Sequence, residues 1–127
     1  MPPRPTEFEL AILQLLWRDG PGTVREVLHR LNHERASEAG YTTVLKMLQI
    51  MTEKGLVERD DSRRPQVYRS RLSQEQTQRQ LVSDLLDRAF GGSAKQLVMQ
   101  ALAARKTSEE ELTQIEQLLD RLEGDKQ

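Results

Sequence analysis

Residues 42–49 read TTVLKMLQ, and residues 63–71 read RRPQVYRSR. The first stretch offers two hydroxyls, an ammonium and a carboxamide at Thr42, Thr43, Lys46 and Gln49. The second offers four guanidiniums, at Arg63, Arg64, Arg69 and Arg71, with no acid among them. Such groups donate and accept hydrogen bonds and carry fixed positive charge, so they suit the binding of polar edges and anions rather than bond breaking. The chain has no cysteine, which excludes disulfides, thiolate metal sites and cysteine nucleophiles. No Gly-rich phosphate loop, nucleophile elbow or Ser/His/Asp arrangement occurs in it, so neither an enzyme nor a cofactor is expected. His29 and His33 stand at i and i+4, a spacing that can clamp a metal. With no cysteine nearby and no HExxH pattern, solvated histidines are the simpler reading and no metal site is expected.

The polar groups of 42–49 fall on one side of a helix. At 100° per residue with Val44 at zero, Met47, Leu48 and Met51 lie within about 60° of Val44 and form an apolar stripe. Thr42, Lys46 and Gln49 lie opposite, with Thr43 and Ile50 on one flank. The helix ends at Lys54-Gly55, where glycine suits the left-handed position after a helix.

Other elements must hold this helix. Five hydroxyl residues that open apolar-periodic runs are followed three positions later by Glu or Gln, a reciprocal capping pattern that opens helices. They are Thr6/Glu9, Thr23/Glu26, Ser73/Gln76, Ser93/Gln96 and Ser108/Glu111. A first helix over about 7–18 buries Phe8, Ile12, Leu15 and Leu16, with Trp17 also directed to the core, and DGPG breaks it. A second, over about 24–32, buries Val24, Val27, Leu28 and Leu31. After the helix ending at Lys54, LVERDD and QVYRSRL flank the turn-forming DSRRP and read as two short strands with a basic tip. From Ser73 the chain is helical again, broken at Gly91-Gly92 and between about Ala104 and Ser108.

Three helices followed by a hairpin with an arginine-rich tip have the order of a winged helix-turn-helix. There the third helix enters the DNA major groove and the wing rests on the backbone or minor groove. Hydroxyl, ammonium and carboxamide groups can bond base edges, and a threonine methyl can touch thymine's methyl. Arg63, Arg64 and Arg69 then serve as phosphate contacts. Taken singly, each feature has a plainer explanation: a solvated helix face, and an edge hairpin guarded by charge against aggregation. Together they point to double-stranded DNA.

Composition agrees. The net charge is −1, but residues 1–72 carry 12 Lys+Arg against 10 Asp+Glu, and residues 73–127 carry 7 against 10. Only 36% of the 127 residues are hydrophobic and 31% are charged, so the core is thin and burial is completed by association. The last helix spaces Leu112, Ile115, Leu119 and Leu122 as a packing seam. The long helix before it offers Leu81, Leu85 and Phe90. Pairing two such tails would set two reading helices roughly 34 Å apart, one turn of a palindromic site. The N-terminus is polar and nothing is apolar enough to span a membrane, so a cytoplasmic location is expected.

Several separated stretches resemble one known family. YTTVLKMLQIMTEKGLVERD, the tyrosine of QVYR, the early ELAILQLLW and the later FGGSAKQLV are similar to the BlaI/MecI/CopY, or penicillinase repressor, family. The resemblance runs from about Thr6 to Leu122. It implies a homodimeric repressor of palindromic operators, with Thr42, Thr43, Lys46 and Gln49 on the DNA-reading helix and residues 60–65 as the wing tip. Two departures stand out. The copper-sensing branch carries cysteine pairs that this chain lacks. In the β-lactam-responsive branch a membrane-bound metalloprotease sensor cuts an Asn-Phe bond, and the matching place here is Gln100-Ala101.

The expectation is therefore a mainly α chain: a winged helix-turn-helix of three helices and a two-stranded wing over 1–72, then a three-helix dimerisation domain over 73–127. Its expected partners are operator DNA, a second copy and, by resemblance, a membrane metalloprotease sensor. Two alternatives stay open: a winged-helix module whose polar face meets a protein, and a ligand-gated regulator with an effector pocket between wing domain and tail.

Overall fold

The computed structural model describes residues 4–35 and 39–124. The elements in chain order are α1 (Glu7–Asp19), β1 (Gly22–Thr23), α2 (Val24–Arg35), α3 (Tyr41–Lys54), β2 (Val57–Asp60), β3 (Val67–Ser70), α4 (Gln74–Ala89), α5 (Ala94–Ala104) and α6 (Glu109–Gly124). Capping chemistry sets the helix starts. Thr6 and Glu9 satisfy each other's backbone N–H groups at 3.2 and 2.8 Å. Thr23/Glu26 and Ser73/Gln76 do the same. Ser93 and Ser108 each accept from the backbone N–H three residues on.

The sheet holds one strand more than the hairpin. β1 pairs antiparallel with β3, and β3 with β2, giving the order β1-β3-β2. Two residues are too short a run for hydrophobic alternation to mark, which is why the sequence shows Gly22 only as the end of the DGPG break and Thr23 only as a helix cap. The pairing matters because β1 runs directly into α2 and so ties the start of that helix to the wing.

The chain divides into two compact units, Met1–Ser83 and Asp84–Gln127. In the first, the core is built from Ile12, Leu13, Leu15 and Leu16 of α1, Val24, Val27 and Leu31 of α2, and Val44, Leu48 and Met51 of α3. Leu56, Val57 and Tyr68 close it from the sheet side. Phe8, Trp17, Leu28 and Met47 pack against it while only partly buried. Trp17 also makes polar bonds. Its indole N–H donates to Ser70 Oγ at 2.9 Å and to the Leu72 carbonyl at 3.1 Å. Asn32 holds residue 39 against α2, its side chain donating to and accepting from the Ala39 backbone at 3.1 Å each way.

In the second unit α5 and α6 have no buried residue. Val98, Met99 and Leu102 on α5, and Leu112, Leu118, Leu119 and Leu122 on α6, are exposed, and Ile115 is half-buried. On α4, Leu85 is exposed, Leu81 half-buried, and the following Phe90 half-buried. No described helix is long and apolar enough to cross a membrane.

One charged group sits inside the first core. Glu9 is almost fully buried and accepts from Lys54 Nζ at 2.7 Å, joining the start of α1 to the end of α3. Burial opposes its ionisation, but the Lys54 ammonium and the Thr6 N–H outweigh that and hold its carboxyl below the usual range. A depressed folded pKa contributes stability that is present above the unfolded value and lost as pH falls through the folded one. Glu9→Gln is therefore expected to cost about 1–3 kcal/mol at pH 7. It should also flatten the loss of stability below about pH 4.5, as read from urea unfolding at stepped pH. Gly55, at φ 80°, closes α3 in the left-handed region. Gly55→Ala should lower the unfolding free energy by about 1–2 kcal/mol in the same assay.

Candidate nucleic-acid interface

α3 is fixed in rotation by its inner stripe. Val44, Leu48 and Met51 are each 0% exposed, so the opposite side of the helix faces solvent. Thr42, Thr43, Lys46 and Gln49 are all exposed there, with Ile50 beside them. The four expected reading residues thus share one open face, and among the described residues none of their side chains bonds to another group.

The start of α3 differs from most other helix starts in the chain. Its N-cap is Gly40, which supplies no side-chain hydrogen bond, and its first turn contains no acid. α1, α2, α4 and α6 each carry glutamate in the first turn. The first amides of α3 therefore keep both their donor capacity and the positive end of the helix dipole for an outside anion.

The wing is less simply basic than its arginine run suggests. Arg69 lies directly across from Glu58 in the β2–β3 ladder and donates to its Oε2 from two nitrogens, at 3.0 and 2.9 Å. Arg63 Nε is 3.8 Å from Asp60, and Arg59 Nε 2.6 Å from Asp61. Asp60 also accepts from the Ser62 hydroxyl and N–H, which holds its carboxyl below the usual range. Arg64 is exposed at the tip and meets no carboxylate among the described residues. Of the three expected wing contacts, Arg64 is unengaged, Arg63 loosely paired and Arg69 committed to a cross-strand partner.

A groove of about 630 Å³ lies where the first turns of α2, the start of α3 and the wing converge. Arg25, Arg30, Tyr41 and Pro65 line it, together with Leu45 and His29. Apart from the His29/His33 spacing, no motif in the sequence assigns any of these to a site. The nearest available signal is position: Tyr41 immediately precedes Thr42-Thr43, and Pro65 immediately follows Arg64.

Gln100 and Ala101 are exposed and lie within α5. His29 and His33 are both exposed on α2, and no described cluster of three or more His, Asp or Glu is arranged to hold a metal ion.

Known proteins can be set beside this geometry. No curated protein matches the chain. Among solved structures, a MarR family protein from Bacillus stearothermophilus superposes with a TM-score of 0.48 at 22% identity, over 94% of this chain and 74% of that one. Residues 5–121 match the family described as penicillinase repressor. With a winged helix carrying an open polar third helix, and a family match over nearly its whole length, the chain belongs to the penicillinase repressor family of DNA-binding transcriptional regulators.

Proposed function

We propose that the protein acts as a homodimeric repressor, residues 1–72 binding a palindromic operator and residues 73–127 joining two copies. In this reading Thr42, Thr43, Lys46 and Gln49 contact base edges in the major groove, and Arg63, Arg64 and Arg69 contact phosphate from the wing. The observation that carries it is the open face of α3, four polar side chains on a helix whose opposite side buries Val44, Leu48 and Met51 completely. Exposed ion pairs such as Arg69–Glu58 contribute only about 0–1 kcal/mol, so phosphate can displace the carboxylate at small cost.

Dimerisation is supported by the second unit's apolar surface. Leu119 and Leu122 remain 53% and 51% exposed in the single chain. Burying such side chains against a second copy would contribute about 1.5–3 kcal/mol each if complete. Leu81, Leu85, Phe90, Leu112 and Ile115 extend the same proposed interface. Repression in the cytoplasm would then be relieved by an event that separates the tails. Proteolysis near Gln100-Ala101 by a membrane metalloprotease sensor is one such event, and the helical bond there would have to unwind first.

Selection from a random duplex library should enrich a two-fold symmetric sequence. Against that sequence, Lys46→Ala and Arg64→Ala are each expected to weaken binding about tenfold, with dimerisation intact. Wild-type affinity in both variants would remove this assignment of contacts. Leu119→Glu combined with Leu122→Glu should shift sedimentation velocity from dimer to monomer at micromolar concentration. A monomeric wild type would defeat the dimer.

A further inference from the structure

We propose that the groove between α2, the start of α3 and the wing seats a run of DNA sugar–phosphate backbone, with Arg25 as its principal phosphate ligand. This rests on the reading that the protein binds duplex DNA, and adds to it a third contact element that neither the reading helix nor the wing arginines supply.

Arg25 is held in an unusual way for this chain. Arg18 is paired with Asp19 and Glu34, Arg59 with Asp61, Arg69 with Glu58 and Arg79 with Glu75. Arg25 meets no carboxylate among the described residues. Its guanidinium lies over the Tyr41 ring instead, with Cζ 5.4 Å from the ring centroid. A cation–π contact restrains the guanidinium over the ring without using its N–H groups on a carboxylate, so they can bind a phosphate.

The surroundings suit the same ligand. Arg30 brings a second guanidinium, which faces Glu26, a carboxylate that also lines the groove. Its Nη2 is 3.7 Å from Glu26, which also accepts from the Thr23 N–H, and its Nη1 is buried with no hydrogen-bond partner among the described residues. Nη1 rests over Gly22, where an added Cβ would come within 3.3 Å of it. Val24, Leu45 and Pro65 give the groove apolar wall for the deoxyribose faces between phosphates. The groove is also continuous with the reading surface, bounded by Tyr41 beside Thr42 and by Pro65 beside Arg64. A strand lying between α3 and the wing tip would cross it.

The test uses a duplex that the wild-type protein selects from a random library, and a scrambled duplex of the same length. Affinities are read by fluorescence anisotropy at about 50 and about 200 mM KCl, a range over which phosphate contacts register strongly. Arg25→Ala should weaken binding by the same factor on both duplexes. Its salt slope should be shallower by about 0.9 for each phosphate it no longer neutralises, so the fall in affinity across that salt range is about 3.5-fold smaller per phosphate. Arg25→Lys should restore the slope. A single methylphosphonate at the contacted position should weaken the wild type and leave Arg25→Ala unchanged. With the melting temperature preserved, wild-type affinity and slope in Arg25→Ala would overturn the proposal. So would a loss confined to the selected duplex, which would make Arg25 a base-reading residue. If the wild type enriches no duplex, the DNA-binding reading itself fails. If it enriches one and only Lys46→Ala is impaired, the groove alone is wrong.

Discussion

The DNA-reading face proposed for this protein depends on the rotation of α3 about its own axis. Val44, Leu48 and Met51 are sealed into the core formed with α1 and α2, and each is wholly inaccessible. A roll of even one residue, about 100°, would drag Lys46 or Gln49 towards that core, and burying an ammonium or a carboxamide without partners costs several kcal/mol. The reading face is therefore specified by what the helix hides. Lys54 adds a second pin at the far end through its bond to buried Glu9, and Asn32 anchors residue 39 just before the helix begins.

That rotation was legible in the sequence, because a 3.6-residue period maps directly onto sides of a helix and the stripe contains only Val, Leu and Met. The helix starts were legible for a similar reason: a cap is a local interaction between residues three apart. Strand β1 was not, since two residues cannot display a period, and its Thr23↔Val67 pairing joins segments more than forty positions apart. The fate of Arg69 was hidden in the same way. It faces Glu58 only because the turn between β2 and β3 sets a register that an arginine count does not contain. The groove beside α3 draws its walls from residues near 25, 41 and 65, three segments with no shared motif.

Charge is arranged unevenly as well. The wing's arginines mostly stand beside acids of the same hairpin, so its electrostatic reach in solution is shorter than the run RRPQVYRSR implies. The α3 start is free of acids, and Arg25 beside Tyr41 meets no carboxylate among the described residues. Long-range attraction to a polyanion would thus be modest while close-range complementarity is retained, an arrangement that favours discrimination between partners over indiscriminate attachment.

Trp17 is the only tryptophan in the chain. Its indole N–H reaches from the end of α1 to Ser70 and Leu72, where the chain leaves the sheet on its way to α4. The protein thereby carries its own optical reporter at one defined joint. Loosening of that joint would break both bonds and admit water to the ring, changing the wavelength and intensity of its emission. Movements at the exit from the winged helix can be followed by light alone, with no label attached.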